Sequence, residues 1–245
     1  MSEKTTTAKP KNPAFIIMKR ELAAYFTSPI AYIVTGLFLI ITGILFYTTF
    51  FIYNRAELRQ LFTYLPLLLS FFVPALTMRI FAEEKRVGSI ETLMTLPVTE
   101  VQVVTGKYLA SFISTLVMIA PTLLYILPAE IFGQPDYGPI VGGYLGAIFL
   151  CASYTAIGLF ATSVTKNQII AFFTGFIICI VLTMLDTFMI FLPSSLVSFF
   201  SFLSANSHFT SIARGIIDTR DLIYFISLTA LFFTITVKIE QAEKN

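Results

Sequence analysis

The chain has 245 residues, 56% of them hydrophobic and only 12% charged, with a formal net charge of +2. A soluble domain carries about 25% charged residues, so this composition excludes a water-soluble globule. It equally excludes a disordered chain, which needs low hydrophobicity. An integral membrane protein remains, in line with a mean hydropathy of +0.84, and the small net charge gives no general footing for nucleic acid.

Residues 1–12 are polar and are expected to form a disordered cytoplasmic tail, with 13–245 as a single transmembrane domain. No short apolar core followed by a small-residue cleavage site occurs in the first 29 residues, so a cleaved signal peptide is not expected. Over residues 13–28, Phe15, Met18, Leu22, Tyr25 and Phe26 recur at spacings of three and four, interrupted by Lys19, Arg20 and Glu21. That pattern predicts an amphipathic helix lying flat on the membrane face, ended by Pro29, which turns the chain into the bilayer.

A spanning helix needs about 20 mainly apolar residues. Six stretches qualify: Ile30–Tyr53, Leu61–Phe81 with Pro66 and Pro74 inside it, about Tyr108–Pro128, Pro139–Ser163, Gln168–Leu192 and Leu222–Val237. The fold expected is therefore all-α and polytopic. Residues 193–221 hold two shorter apolar stretches, Leu196–Leu203 and Phe209–Ile217, broken by the loop Ser204-Ala-Asn-Ser-His208. Each is too short to span, and they are expected to dip into the outer leaflet and return. A single crossing there would instead make seven spans and move the C-terminus outside.

Lys and Arg set orientation. With the N-terminus inside, Lys4, Lys9, Lys11, Lys19, Arg20, Arg79, Lys85, Arg86, Lys107, Lys166, Lys238 and Lys244 fall on the cytoplasmic side. Only Arg55, Arg59, Arg214 and Arg220 fall outside. The bias places both termini in the cytoplasm.

Between the second and third spans lies the most charged loop, Phe81–Gln102. Gly88 offers a sharp turn, Ser89 an N-cap, and Ile90–Leu96 about two helical turns stopped by Pro97. Thr99-Glu-Val-Gln102 is a capping box for the next helix. Run from Glu100 to Pro128, that helix is about 43 Å long and outreaches the roughly 30 Å hydrocarbon core. The loop reads as a lever that an attached cytoplasmic protein can push.

Catalytic patterns are missing. The chain contains neither G-x-x-x-x-G-K-[ST] nor G-x-S-x-G. His208 is the one imidazole and is expected to make surface hydrogen bonds in the outer loop. Cys151 and Cys179 lie in apolar runs as small hydrophobes, and one His with two Cys is too few for a protein-only metal site. Asp186 is the one acidic residue within a predicted span, near its outer end. It is a candidate for lining a substrate path or for pairing helices. Gly142, Gly143 and Gly146 offer a small-residue face for close helix packing.

The stretch Glu83-Glu-Lys-Arg-Val-Gly-Ser-Ile-Glu91-Thr-Leu-Met-Thr-Leu-Pro97 resembles the E-x-x-x-G-[ST]-x-E-x-L-x-x-x-P pattern of ABC-2 type transporter permeases. Glu84, Gly88, Ser89, Glu91, Leu93 and Pro97 carry the match. Lys19-Arg-Glu-Leu22, Tyr25-Phe-Thr-Ser-Pro29 and the six spans extend it over nearly the whole chain. The segment from Ser207 to Asp221, with His208, Arg214, Gly215 and Asp218, is similar to the subgroup containing the gliding-motility ABC permease.

This resemblance implies a permease of the bacterial cytoplasmic (inner) membrane that binds no cofactor itself. ATP and Mg would sit in a separate ATPase subunit, in two copies, with residues 88–97 as a coupling helix seated on it. Residues 13–28 would match the family's connecting helix. A second permease copy or a related permease would complete the path, and export is the implied direction. A membrane protein with a large outer domain is a further implied partner. Two rival readings are an ATPase-coupled scaffold or mechanical transmission unit and an ion-coupled secondary transporter. The latter calls for charged groups near the bilayer midplane.

Overall fold

The computed structural model describes residues 13–52, 58–88, 98–133, 135–189, 194–216 and 218–244. Helix α1 (Pro13–Thr27) leads through Ser28 into α2 (Pro29–Tyr47), which continues as a π-helical turn over Thr48–Ile52. Pro29 suits the first turn because its missing N–H is an orphan there anyway. The chain returns through α3 (Arg59–Thr77) to the short α4 (Ala82–Val87).

Helix α5 (Glu100–Ile119) begins at the expected capping box. Thr99 Oγ1 accepts from Gln102 N–H at 3.3 Å, and Gln102 Oε1 accepts from Thr99 N–H at 3.1 Å. At Pro121 the ladder tightens into a 3-10 segment (Ala120–Tyr125), because the ring removes an i→i−4 bond. The helix then resumes as α6 (Ile126–Phe132). Helices α7 (Tyr137–Ser163) and α8 (Gln168–Phe188) are capped by Asp136 and Asn167, whose side chains accept from the N–H groups of Gly138 and Ile169. Two short helices follow, α9 (Ser194–Leu203) and α10 (Ala205–Ala213), and α11 (Thr219–Lys244) ends the chain.

Among the described residues, six helices are long and apolar enough to cross a membrane: Pro29–Phe50, Arg59–Val87, Glu100–Phe132, Tyr137–Ser163, Gln168–Phe188 and Thr219–Glu243. No strand occurs among the described residues. The all-α, six-span architecture read from hydropathy is the one found. With 10 and 9 residues, α9 and α10 are too short to cross. An even number of crossings brings Glu21 of the first helix and Glu240 of the last to one end of the bundle.

Helices α3 and α7 are the most buried spans, and α2, α8 and α11 surround them. The outer face of α2, with Ile33, Leu37, Ile40 and Ile44, is exposed for lipid. Where helices meet, small residues let backbones close up. A side chain on Gly142 would collide with the Ile212 carbonyl, one on Gly143 with the Phe62 ring at 2.6 Å, and one on Gly158 with the Thr77 hydroxyl. Gly142, Gly143 and Gly146 thus form the close-packing face anticipated for α7. Hydroxyls add cross-links: Tyr154 pairs with Thr183 at 2.5 Å, and Ser153 donates to the Phe225 carbonyl at 3.0 Å.

Three expectations need correction. The last span is not confined to residues 222–237 but runs from Thr219 to Lys244, because acidic side chains on its final turns find a buried lysine. The break at Ser204–His208 shrinks to Ser204, whose hydroxyl accepts from Ser207 N–H and restarts the helix, so His208 is helical and buried, not on a surface loop. Third, α1 meets the bundle through Ala14 and Ile17, which were not counted on its apolar stripe. The stripe itself is divided: Phe15 and Phe26 are exposed, whereas Tyr25 turns into the bundle, where its hydroxyl donates to the Leu76 carbonyl.

Candidate functional site

At the end of the bundle where α1 lies, charged side chains converge on α4, the helix that leads into the 88–97 segment. Lys107, one side of α5, is fully buried. Its ammonium lies 2.8 Å from Glu84 Oε2 and 3.4 Å from Glu21 Oε1, donates to the Ile80 carbonyl at 2.9 Å, and sits 4.8 Å from the centre of the Phe81 ring. Arg20 closes the other side, 2.9 Å from Glu84 Oε1 and 2.6 Å from Glu21 Oε1. Glu84 therefore ties α4 to both α1 and α5.

A second cluster fastens the opposite face of α4. Lys85 is buried, donates to the Ser163 carbonyl at the end of α7 at 2.5 Å, and pairs with Glu240 at 3.1 Å and Glu243 at 2.6 Å on α11. Glu240 and Glu243, one turn apart, present both carboxylates on one helix face. A third link joins the end of α3 to the α1–α2 junction: Arg79 bonds Glu83 at 2.8 Å and Ser28 Oγ at 2.8 Å.

The hub is electrostatically near balance, with Arg20, Arg79, Lys85 and Lys107 facing Glu21, Glu83, Glu84, Glu240 and Glu243. Burial opposes the charge on Arg20, but its hydrogen bonds to Glu21 and Glu84 and their charges outweigh that and raise its pKa. Burial likewise pushes the Tyr25 phenol up, so it stays a donor, and it binds the Leu76 carbonyl of α3 at 2.5 Å. Beneath the hub, Gly106 of α5 lets α1 approach so closely that an added Cβ would lie 2.7 Å from the Ala14 carbonyl.

The hub contains Glu84 of the sequence motif. Gly88 ends α4 in the left-handed region at φ 77°, a conformation glycine takes without strain. Ser89, Glu91, Leu93 and Pro97 lie outside the described residues. Lys85, Lys107, Glu240, Glu243, Arg20 and Glu21 were not singled out as site residues in the sequence. The signal available was charge inside helices of high hydropathy, together with the one-turn spacing of Glu240 and Glu243.

The remaining candidates lie at the other end. Asp186 Oδ2 accepts from Asn206 Nδ2 at 2.6 Å and Oδ1 from Thr187 N–H at 2.9 Å, which joins α8 to α10. His208 Nε2 donates to the Phe202 carbonyl at 3.0 Å, Nδ1 lies 2.6 Å from Asp221 Oδ1, and the ring stacks on Tyr224 at 4.2 Å. His208 thereby fastens α10 to α11. Asp218 caps α11 by accepting from Arg220 N–H at 3.0 Å. Gly215 turns at φ 85° against Gly138, and Arg214 is exposed beside it. Among the described residues no group of three or more His, Cys, Asp or Glu gathers as a metal site would require.

The sequence matches the profile of ABC-2 family transporter proteins over residues 4–238. The chain belongs to the ABC-2 transporter family. It is a multi-pass transmembrane subunit of an ABC transporter, and membership implies that an ABC ATPase subunit works with it. A search of curated proteins finds no significant match.

Proposed function

We propose that this ABC-2 family protein is the permease half of an exporter in the bacterial cytoplasmic membrane, with both termini in the cytoplasm. Its 88–97 segment seats as a coupling helix on a separate ATPase that holds ATP and Mg. Ser89, Glu91, Leu93 and Pro97 make or shape that contact. A second copy or a related permease completes the path. The similarity of residues 207–221 to the gliding-motility subgroup supports a further partner with a large outer domain.

One observation carries this reading. The helix that delivers the chain to the 88–97 segment is held by buried ion pairs to α5 and α11 and by a more exposed pair to α1. A push on the segment therefore reaches the interfacial helix, the third span and the last span together. ATP binding would select between inward and outward states through its differential affinity for them. Glu84 acts here as a positioning residue.

The test is co-purification of the ATPase with a tagged permease. Wild type retains the ATPase, whereas Glu91→Lys and replacement of residues 88–97 by a flexible linker lose it. Glu84→Gln retains it but loses permease-stimulated ATP hydrolysis. An ATPase that fails to bind folded wild type, or that binds all variants equally, overturns the proposal.

A further inference from the structure

At the end of the bundle opposite the hub, three helices meet at His208. The ring belongs to α10 and is buried. Its Nε2 lies 3.0 Å from the Phe202 carbonyl oxygen of α9, and its Nδ1 lies 2.6 Å from Asp221 Oδ1 of α11. Tyr224 of α11 stacks on the ring at 4.2 Å and donates its own hydroxyl to the Leu203 carbonyl at 2.8 Å. One side chain thus joins α9, α10 and the start of the last span.

The chemistry of these partners sets the proton count. A carbonyl oxygen only accepts, so Nε2 must carry a hydrogen. A neutral imidazole has no second hydrogen, and Nδ1 would then turn a lone pair toward the carboxylate. Two acceptors would face each other at 2.6 Å. The carboxylate would also be left without a donor among the described residues, because Asp221 is only 6% exposed and its Oδ2 has no hydrogen-bond partner. A buried charge left so is costly. One proton beyond those of a neutral imidazole and a carboxylate satisfies both contacts. Imidazole is the stronger base of the two, so the proton sits on Nδ1, and the Tyr224 ring then lies against a cation, which its π-face favours.

The elements packed around the ring bring no other charge to it. Helix α9 has no titratable residue, α10 has none besides His208, and α7 has no charged one. Tyr154 of α7 interacts with Tyr224 and is hydrogen-bonded to Thr183. Asp186 of α8 is taken by Asn206 at 2.6 Å. Arg59 of α3 and Arg214 line a cavity with Asn206, Phe209 and Thr210, to which His208 does not contribute. Asp218 and Arg220 are exposed at the start of α11, where Asp218 accepts from Arg220 N–H.

We infer that His208 and Asp221 form a proton-held clasp, in which the bound proton fastens α9 and α10 to the last span and its release on raising the pH frees them. The closed clasp binds a proton that the separated residues do not, so closure weakens as pH rises. Through that window the ratio of open to closed clasp climbs about tenfold per pH unit, the slope of one proton. Asp221→Asn substitutes an amide hydrogen for the proton. Its Nδ2–H donates to a neutral Nδ1, so that clasp stays shut and no longer responds to pH. The device is independent of the ATPase contact at the other end.

The test uses the full chain in lipid nanodiscs. The chain has a single histidine, so isotope-labelled histidine gives ring-nitrogen NMR signals of His208 alone. At neutral pH both ring nitrogens of wild type should carry hydrogen, and alkali should convert the ring to the form with one. Asp221→Asn should show the one-hydrogen form already at neutral pH. Opening is read by pulsed EPR between spin labels on Ser198→Cys of α9 and Ile223→Cys of α11, both exposed positions. Cys151 and Cys179 are buried and do not compete for label. The separated population should grow with pH in wild type and stay constant in Asp221→Asn. A wild-type ring with one hydrogen at neutral pH overturns the clasp, and that spectrum decides even where the variant fails to fold. A label separation that ignores pH in wild type, or an Asp221→Asn protein that opens with pH as wild type does, overturns it equally.

Discussion

Replacing Lys107 by methionine removes the ammonium at the centre of the hub while keeping most of the side chain's volume. Glu84 Oε2 then loses its 2.8 Å partner and has no hydrogen bond to fall back on. The Ile80 carbonyl loses a donor at 2.9 Å. Breaking a buried pair from one side costs about 3–5 kcal/mol. Glu84 keeps Arg20 on its other oxygen and is 20% exposed, so the low end, about 3 kcal/mol, applies. Removing both partners with Glu84→Met/Lys107→Met leaves no orphaned charge in that pair and should recover about 2 kcal/mol of the loss, within the range for contacting residues. Thermal unfolding of the four proteins in one detergent gives the cycle. A Lys107→Met protein that melts with wild type, or a double variant whose loss equals the sum of the singles, refutes the claim that this pair locks α4 to α5.

Three other substitutions probe the remaining joints. Gly106→Ala places a methyl 2.7 Å from the Ala14 carbonyl and should lift α1 off α5 at a cost of about 1–3 kcal/mol, seen as faster proteolysis within residues 13–27. His208→Ala leaves the buried Asp221 carboxylate without its 2.6 Å hydrogen-bond partner and should lower stability by about 1–3 kcal/mol; the double variant with Asp221→Ala should melt closer to wild type. Asp186→Asn weakens the tie to Asn206 by about 1 kcal/mol yet should leave transport intact, and loss of transport by a normally assembled Asp186→Asn protein would assign this carboxylate to the substrate path.

Features that depend on neighbours in the chain were legible in the sequence. Hydropathy marked six spans because a bilayer demands length and apolarity of each helix by itself. The Thr99–Gln102 capping box, the turn at Gly88 and the two short helices before the last span are local in the same way. The hub was not legible because its pairs join residues far apart in the chain. Lys107 counted only as one of the cytoplasmic-side cations, and nothing local says that it meets Glu84 on one side and Glu21 on another. Nor does hydropathy distinguish an acidic side chain past the end of a span from one on its continuation. For that reason the last helix read short and the Glu240–Lys85 pair was missed. In α1 the periodicity marked an apolar stripe, but Tyr25 on that stripe turns into the bundle, and the close contact with α5 rests on Ala14 and Ile17, which fit only because Gly106 opposite them has no side chain. His208 read as a surface residue because a run of small polar residues surrounds it, whereas tertiary packing brings Asp221, Tyr224 and the Phe202 carbonyl to its ring.

The depth of these ion pairs constrains how the hub can move. Couplings between distant sites are typically about 1–3 kcal/mol, while separating one buried pair without replacement costs about 3–5 kcal/mol. A stroke that pulled Glu84 from Lys107 and Lys85 from Glu240 would cost more than such a coupling returns. The favoured motion keeps these contacts and carries α4, the start of α5 and the end of α11 as one body. Adjustment then falls on joints that hold no buried charge. Two are at hand: Gly88, which ends α4 at a left-handed φ of 77°, and the 3-10 segment at Pro121, where one backbone bond is already missing and the helix can bend without breaking another. On this account the third span is a two-part lever, fixed to the hub over Glu100–Ile119 and free to tilt beyond it. A proline-free variant, Pro121→Ala, should then bind the ATPase normally and lose coupled transport, whereas full transport by that variant would move the hinge elsewhere.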